Sequence, residues 1–191
     1  MIIRKATLDD AELIATYLLL AMEDIVYLFI GSKDPAKAME FMLHFVQLPN
    51  NQYSYQNCRV AEIDGEIVGA VNLYDGARLH ELRQPVYAYI KSEFGQELKP
   101  EDETQAGEFY IDSIGVNTRQ RGKGIGSKIL QYLIEEYINK QRETLGLLVD
   151  GENPNARRLY LKMGFKMVGQ KLIFGKSMEH LQLNPPNSSL K

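Results

Sequence analysis

The sequence has few of the residues that form covalent or metal crosslinks. Its 191 residues include one cysteine, Cys58, and three histidines, His44, His80 and His180. A single thiol cannot form an internal disulfide or a thiolate zinc site, and the histidines lie far apart in the sequence with no carboxylate at metal-ligand spacing. We therefore predict that the protein uses no metal, and that Cys58 is a buried strand thiol rather than a nucleophile.

An excess of positive charge is also missing. The chain has 22 lysines and arginines against 25 aspartates and glutamates, which gives a formal net charge of −3. A general nucleic-acid binder carries a basic surface, so this balance argues against a nucleic-acid partner. Glu23 and Asp24 interrupt the apolar stretch 13–30, and charge follows the first apolar residues at once, so we expect neither a membrane span nor a signal peptide. We expect a cytoplasmic protein.

The remaining composition is typical of one folded domain. Hydrophobic residues make up 45% of the chain and charged residues 25%, and a chain of this length favours a single domain over two. We predict one domain over residues 1–178 and a flexible C-terminal tail over 179–191. Periodicity and turn residues predict strands at 2–5, 58–63, 67–74, 108–116, 145–149, 165–168 and 172–174, and helices over 7–22, 35–46, 85–95, 122–141 and 153–163.

A long connection, residues 76–107, separates two of the predicted strands. It contains a short predicted helix that begins at Pro85 and ends at Gly95, followed by the acidic run 101–103, which we expect to be a solvated loop. Loops of this length are uncommon inside compact domains. We therefore predict that the segment borders a binding pocket or an oligomer interface, and its apolar and aromatic side chains would permit a homodimer.

The most informative segment is the glycine-rich stretch 119–126, between a predicted strand and a predicted amphipathic helix. Glycines remove the Cβ atoms that would block close approach, and the free N–H groups of the first helical turn point outward beside the positive end of the helix dipole. Neighbouring cationic side chains suit a pyrophosphate better than a neutral ligand. The glycines are Gly122, Gly124 and Gly126, and the cations are Arg119, Arg121 and Lys123.

Two familiar phosphate-binding patterns fit this segment poorly. A P-loop needs four residues between its first glycine and a Gly-Lys-Ser or Gly-Lys-Thr, which residues 122–128 do not provide. A dinucleotide fingerprint needs a glycine at the position of Ser127. This departure disfavours a dinucleotide-dependent oxidoreductase.

A third pattern fits at every position. Arg119, two residues, Gly122, one residue and Gly124 resemble the acetyl-CoA pyrophosphate loop of the GNAT superfamily of N-acetyltransferases. The segment 153–165, with Asn153, Ala156, Leu159-Tyr160 and Gly164-Phe165, resembles a second signature of the same family, one strand downstream. The resemblance covers most of the chain except 76–107, where the family has a short turn. The acceptor is therefore not implied.

The resemblance implies an α/β (α+β) fold. Its expected centre is a mixed, mostly antiparallel sheet of about six to seven strands, flanked by about four helices and with the long insertion between strands 3 and 4. It also implies an enzyme that uses acetyl-CoA as cosubstrate. Such an enzyme transfers the acetyl group directly, within a ternary complex, to a primary amine of a small molecule or peptide.

The resemblance also assigns residues to the cofactor. The backbone of Ile114 and Val116, on either side of Gly115, would bond the acyl and pantetheine groups, with the Ile114 N–H as oxyanion donor. Further cofactor-binding residues implied by the resemblance are Arg121, Gly122, Lys123, Gly124, Ile125, Gly126, Asn153 and Ala156. Asn153 is also explained by capping the helix that follows it.

Two side chains are candidates for proton transfer. Tyr160 matches the family's general acid, and a phenol's pKa of about 10 is close enough to a thiol's for protonation of the leaving sulfur. The alternative is that Tyr160 only packs. Asp112, before an expected bulge on the strand that faces the acceptor, is the candidate base. It is equally explained if it orders the site or binds a cationic acceptor while water takes the proton.

A different class of function remains open. A non-catalytic acyl-CoA binding or sensing domain would keep the same loop and fold but have no turnover. The presence of Tyr160 favours the enzyme, because a binding domain has no use for a proton donor at this position.

Overall fold

The computed structural model describes residues 1–99, 101–120 and 122–186. Seven strands form one sheet in the order β1-β2-β3-β4-β5-β7-β6. All neighbours in it are antiparallel except β4 and β5, which are parallel. The strands are β1 Ile2–Lys5, β2 Cys58–Ile63, β3 Glu66–Asp75, β4 Phe109–Val116, β5 Leu145–Asp150, β6 Lys166–Ile173 and β7 Lys176–Leu183. The predicted mixed, mostly antiparallel sheet is confirmed.

The described residues form five α-helices, which cover the sheet. They are α1 Ala11–Ile30, α2 Pro35–Gln47, α3 Leu79–Phe94, α4 Ile125–Leu133 and α5 Pro154–Lys162, and a π-helical segment, Ile134–Lys140, continues α4. Their starts follow local chemistry: Asp34 accepts hydrogen bonds from the backbone N–H groups of Ala36 and Lys37, and Pro35 occupies the first turn of α2.

The helices divide between the two faces of the sheet. On one side, here the α1 face, α1, α2 and α3 bury strand residues such as Val60 and Ala70. On the other side, the α4 face, α4 and α5 pack over Val71, Ile111 and Leu147. Since consecutive strand residues point to opposite faces, Ala70 and Val71 belong to different cores.

Helix α1 lies directly on β4. With the turn before it, residues Leu8–Ile30 are long and apolar enough to cross a membrane by length and composition alone. Its buried positions, among them Ile14, Leu18 and Val26, instead pack in the core of the α1 face. A Cβ at Gly115 would collide with the carbonyl oxygen of Tyr17, so only glycine permits this close approach.

Several predicted boundaries are wrong. The last antiparallel pair lies later than predicted, because the turn falls at Phe174 and Gly175, both with positive φ. The flexible tail does not begin at residue 179, since residues 179–183 belong to β7, which pairs with β5 on one side and β6 on the other.

Helix boundaries also differ from the sequence prediction. Helix α3 begins at Leu79 rather than Pro85, because Asp75 caps a short turn that leads directly into it. Helix α4 begins at Ile125 rather than Gly122, because Gly122 and Gly124 adopt left-handed φ values of 80° and 76°.

Candidate active site

The parallel strands β4 and β5 pair over only part of their length. Phe109 to Ile111 are in register with Leu145 to Leu147, and no later residues of the two strands pair in the described structure. The register of β4 against β3 shifts between Asn72 and Leu73, which makes Asp112 an extra, bulged residue. Beyond this bulge β4 has an edge that faces β5 without pairing to it, here called the unpaired edge.

The backbone N–H and C=O groups of Ile114 and Val116 face outward along the unpaired edge. The N–H of Asn117 donates to Val68 O on β3 at 2.9 Å. In an antiparallel pair alternate residues bond to the same neighbour, so Ser113 and Gly115 turn their polar groups to β3 as Asn117 does. The intervening Ile114 and Val116 turn theirs toward β5. This is the orientation that their predicted cofactor contacts require.

The glycine-rich loop lies at the start of α4. No described atom lies within 4 Å of where a Cβ would stand at Gly122, Gly124 or Gly126. Packing therefore does not explain glycine at these positions, whereas an approaching ligand would occupy that space. Lys123 is exposed beside them. Arg121, also predicted to bind the cofactor, lies outside the described residues.

Helix α5 contributes the second predicted segment. Asn153 Oδ1 accepts from the Ala156 N–H at 3.2 Å and caps the helix, with Pro154 in the first turn. Capping is therefore the role of Asn153 that the structure displays, and its contact with a cofactor stays a prediction. Ala156 is half-buried and packs on the core of the α4 face.

Tyr160 lies on the same face of the sheet. Its ring contacts that of Phe165, with centroids 6.0 Å apart, and it packs against the core beneath α5. Burial raises the pKa of Tyr160 above its usual value. The phenol thus stays protonated at neutral pH, and within the described part of the chain it makes no hydrogen bond. It is a packing residue with a free proton donor.

Asp112 lies on the α1 face, opposite to Tyr160. Its Oδ2 is 3.5 Å from the side-chain amide of Gln52. Burial, and after it the charge of Glu103, raises the pKa of Asp112 well above its ordinary range, although Gln52 and Arg83 act in the other direction. A carboxyl group with a raised pKa is a stronger base than an exposed aspartate.

The surroundings of Asp112 were not predicted. The Gln52 amide donates to Glu103 Oε1 at 2.5 Å, and the Tyr74 hydroxyl donates to the same oxygen at 2.8 Å. The expectation that the acidic run 101–103 is a solvated loop is wrong for Glu103, whose side chain is 13% exposed. No local signal marks these residues, because they come from a loop, a strand and the insertion.

Residues 101–104, here called the strap, cross the α1 face from α3 to the far strands. Glu101 Oε2 accepts from the Leu172 N–H at 3.2 Å, and Lys171 Nζ donates to Asp102 O at 2.8 Å. Thr104 Oγ1 donates to Glu108 Oε1 at 2.7 Å. The insertion therefore lies beside Asp112, and its predicted role at a binding pocket or an oligomer interface stays a prediction.

Glu108 anchors the strap in the core of the sheet. It is buried, lies 2.9 Å from His180 Nε2 and accepts from Gln182 at 2.7 Å. Burial alone would raise the pKa of Glu108, but the hydrogen bonds from His180, Thr104 and Gln182 outweigh it and hold the pKa below its usual value. Glu108 stays charged, which makes it a fixed structural group.

Cys58 is not part of the chemistry. It is fully buried, and burial raises the pKa of its thiol to about 12. A thiol that stays protonated is a poor nucleophile. Among the residues that the structure describes, no group of three or more histidine, cysteine, aspartate and glutamate side chains is arranged to hold a metal ion.

Comparison with known proteins identifies the family of the chain. The model of the Acetyltransferase (GNAT) family matches residues 21–165 of the chain. The protein belongs to the GNAT family. Acetyltransferase Atu2258 of Agrobacterium fabrum is a curated relative, 28% identical over an alignment of 120 residues that covers 53% of this chain and 86% of that protein. The predicted family resemblance is confirmed.

Solved structures of acetyltransferases share the fold over nearly the whole chain. A crystal structure of an acetyltransferase is 32% identical, with a TM-score of 0.79 and coverage of 97% of this chain and 100% of that one. An N-acetyltransferase from Staphylococcus aureus Mu50 has a TM-score of 0.81 at 22% identity, covering 96% and 100%. The aminoglycoside acetyltransferase AAC(6')-Ib in complex with coenzyme A has 0.62 at 20% identity, covering 95% and 93%. The predicted GNAT-like fold is confirmed.

Proposed function

We propose that this GNAT protein is an N-acetyltransferase that transfers the acetyl group of acetyl-CoA to a primary amine of a small molecule or peptide. The observation that carries the proposal is the unpaired edge of β4 with a proton donor on one face of the sheet and a carboxyl group on the other. Tyr160 and Asp112 are separated by the strand whose backbone would hold the acyl group. Direct transfer in a ternary complex needs this arrangement.

The cofactor fits the α4 face. The glycine-rich loop offers N–H groups at the start of α4, and its missing Cβ atoms leave room for a pyrophosphate. A related fold, the aminoglycoside acetyltransferase, has been solved with coenzyme A, which supports the same cosubstrate here. Residues that would hold it are Ile114, Gly115, Val116, Gly122, Lys123, Gly124, Ile125, Gly126, Asn153 and Ala156.

Acetyl-CoA supplies the acetyl group as an activated thioester. The Ile114 N–H donates a hydrogen bond to the acetyl oxygen, on which negative charge develops during attack. Asp112 accepts a proton from the acceptor ammonium, since only the uncharged amine is a nucleophile. The amine nitrogen then bonds to the acetyl carbon as the carbon–sulfur bond breaks.

Tyr160 completes the proton balance. Its phenol donates a proton to the leaving sulfur and recovers one from solvent, while the nitrogen that has bonded to the acetyl carbon loses its second proton to solvent. Burial raises the pKa of Tyr160 and so keeps the phenol protonated throughout the neutral range, and it also makes the phenol a weaker acid toward the sulfur. On the other face, the raised pKa of Asp112 suits a group that must take a proton from an amine.

The deciding experiment measures thiol release from acetyl-CoA with a panel of primary amines, beside calorimetric binding of acetyl-CoA. We expect amine-dependent release together with binding. Binding without release for every amine would assign the protein to the non-catalytic acyl-CoA domains. Absence of binding would overturn the cofactor assignment. A cytoplasmic location, where acetyl-CoA is abundant, belongs to the same proposal, and a homodimer remains a prediction.

A further inference from the structure

The acidic group on the α1 face is only partly neutralised. Arg83 lies 3.2 Å from Asp102 and 3.5 Å from Glu103. Asp112 makes no hydrogen bond to that guanidinium in the described structure. The side-chain amide of Gln52 donates to both Asp112 and Glu103. The guanidinium of Arg83 thus pairs with Asp102 and Glu103, and Asp102 also lies 3.2 Å from His80 Nε2. Within the described residues, the side chain of Asp112 has only the neutral amide of Gln52 as a hydrogen-bond partner.

Buried polar atoms beside Asp112 also have no partner. The side chain of Ser113 is almost fully buried, with 7% of the residue exposed, and its Oγ makes no hydrogen bond within the described structure. Ser113 lies directly opposite Asn72, so both side chains point to the α1 face. Asn72 donates to Gln52 O, while its own Oδ1 is also unpartnered. Leaving such atoms unbonded is costly, which indicates a donor that the free protein lacks.

The carboxylate of Glu103 is held in place and remains reachable. Gln52 and Tyr74 both donate to its Oε1, and the strap is anchored on either side of it by Glu101 and Thr104. Neither Glu103 nor Asp112 is fully buried. Both carboxyl groups are therefore fixed in position and exposed in part to solvent.

The reaction gives the carboxyl groups of Asp112 and Glu103 different roles. The reacting nitrogen must lose its proton to Asp112, so it brings no lasting positive charge to the site. The fixed carboxylate of Glu103 lies near Asp112 and is available to bind a second cationic group on the same molecule.

We propose that the acceptor is a small diamine or polyamine whose second ammonium group binds Glu103 on the strap, while its reacting nitrogen lies between Asp112 and the unpaired edge. This inference rests on the proposed acetyltransferase function and adds the class of acceptor to it. An ammonium group has three donors and no acceptor, which matches two partly exposed carboxyl groups on the sheet face to which the unpartnered Oγ of Ser113 also points. Glu103 is a specificity-determining residue.

The test uses three probes of similar length on the full chain saturated with coenzyme A: putrescine, n-butylamine and γ-aminobutyrate. Calorimetry measures their affinity, and thiol release with acetyl-CoA measures their KM. We expect putrescine to bind at least tenfold more tightly than n-butylamine, because a charge-assisted hydrogen bond is added. γ-Aminobutyrate, which places a carboxylate near Glu103, should bind most weakly.

The variant Glu103→Gln keeps the shape of the side chain and removes its charge. We expect the affinity for putrescine to fall to that for n-butylamine, with the affinities for n-butylamine and coenzyme A unchanged within about twofold. Glu97→Gln is the matched control, because Glu97 lies in the same insertion but pairs with Lys91 at the exposed surface. It should leave all affinities unchanged.

The outcomes separate the two proposals. If putrescine binds in a Glu103-dependent way but no amine releases thiol, the acetyltransferase function fails and the cation site stands. If thiol is released but putrescine has no advantage over n-butylamine, the function stands and this inference is overturned. Equal losses for both amines in Glu103→Gln would also overturn it, since they would mark Glu103 as a structural residue.

Discussion

The two faces of the sheet build their halves of the site in opposite ways. On the α4 face the proposed cofactor half is formed by backbone groups and short runs of neighbouring residues, the loop before α4 and the start of α5. On the α1 face the proposed acceptor half is formed by side chains that are distant in sequence. Gln52 and Glu103 are 51 residues apart, and Tyr74 and Glu103 are 29 apart. A cofactor shared by a family suits the first design, and an acceptor that differs between members suits the second.

The two halves also differ in how they affect the stability of the protein without its ligands. No described atom lies within 4 Å of where a Cβ would stand at Gly122, Gly124 or Gly126, so the loop is open to water and costs little before a ligand binds. Asp112, Glu103 and Ser113 are largely withdrawn from water, and the raised pKa of Asp112 records that penalty. Substitutions on the α4 face should therefore change function, whereas those on the α1 face should change stability as well.

The largest effect is expected on the α4 face, for Tyr160→Phe. The change keeps the ring and its contact with Phe165 but removes the proton donor. General acid catalysis contributes about 10² to 10⁴-fold, so kcat should fall within that range while acetyl-CoA affinity and the melting temperature stay unchanged. Steady-state kinetics and calorimetry would check this. An equal loss of acetyl-CoA affinity would make Tyr160 a packing residue, and an unchanged kcat would assign protonation to water.

A smaller effect is expected in the loop, for Gly124→Glu. The side chain would fill the open space at Gly124 and place a negative charge where a pyrophosphate would bind. Acetyl-CoA affinity should fall at least tenfold by calorimetry. Gly124→Ala is the control, because it imposes the same backbone strain at a φ of 76° without the charge. If both variants lose affinity equally, conformation rather than charge explains the loss.

On the α1 face, Asp112→Asn should change how stability depends on pH. Because the pKa of Asp112 is raised in the folded protein, the native state binds more protons than the unfolded chain, and the free energy of unfolding falls as pH rises above about 4. Asparagine cannot ionise. The variant should therefore gain stability relative to the wild type between acidic and neutral pH.

Denaturant titrations at several pH values would measure this gain. The exposed carboxylate variant Asp24→Asn is the control and should track the wild type. A difference between Asp112→Asn and the wild type that is constant across pH would show that Asp112 titrates as it does in the unfolded chain.

The smallest effect is expected for Ser113→Ala. Since the hydroxyl of Ser113 is buried and makes no hydrogen bond in the described structure, its removal should leave the free energy of unfolding unchanged or raise it by up to about 1 kcal/mol. Ser54→Ala is a control, because Ser54 is also buried but accepts from the Gln56 N–H, and its loss should cost about 1 kcal/mol or more. A large loss for Ser113→Ala would mean that the hydroxyl already has a partner.

The same contrast explains what the sequence can predict. The loop before α4 and the segment around Tyr160 each consist of consecutive residues. The spacing of residues within each segment therefore identifies the family and, through it, the fold. The bulge at Asp112 is predictable only as part of that resemblance, and nothing near Glu103 distinguishes it from a solvated acid. The strap reaches its position through contacts with Leu172 and Glu108, which depend on the completed sheet.

Boundaries failed where a tertiary contact overrides a local signal. Pro85 is typical of a helix start, yet α3 already runs from Leu79, which packs in a small core with Tyr74 and Tyr110. The polar residues of 179–183 suggest a tail, yet they form a strand because β5 and β6 both pair with it. In each case the partner that decides the structure lies far away in the sequence.

The way the strap is fastened has a consequence for how this enzyme can diversify. Residues 101–104 are tied at their two ends, by Glu101 at Leu172 and by Thr104 at Glu108, and they take no part in the sheet ladder itself. The two positions between the ties can therefore change by mutation without disturbing strand register, but Asp102 and Glu103 both pair with the buried Arg83. We expect folded proteins with new acceptor preferences from libraries at 102 and 103 that retain one acidic partner for Arg83.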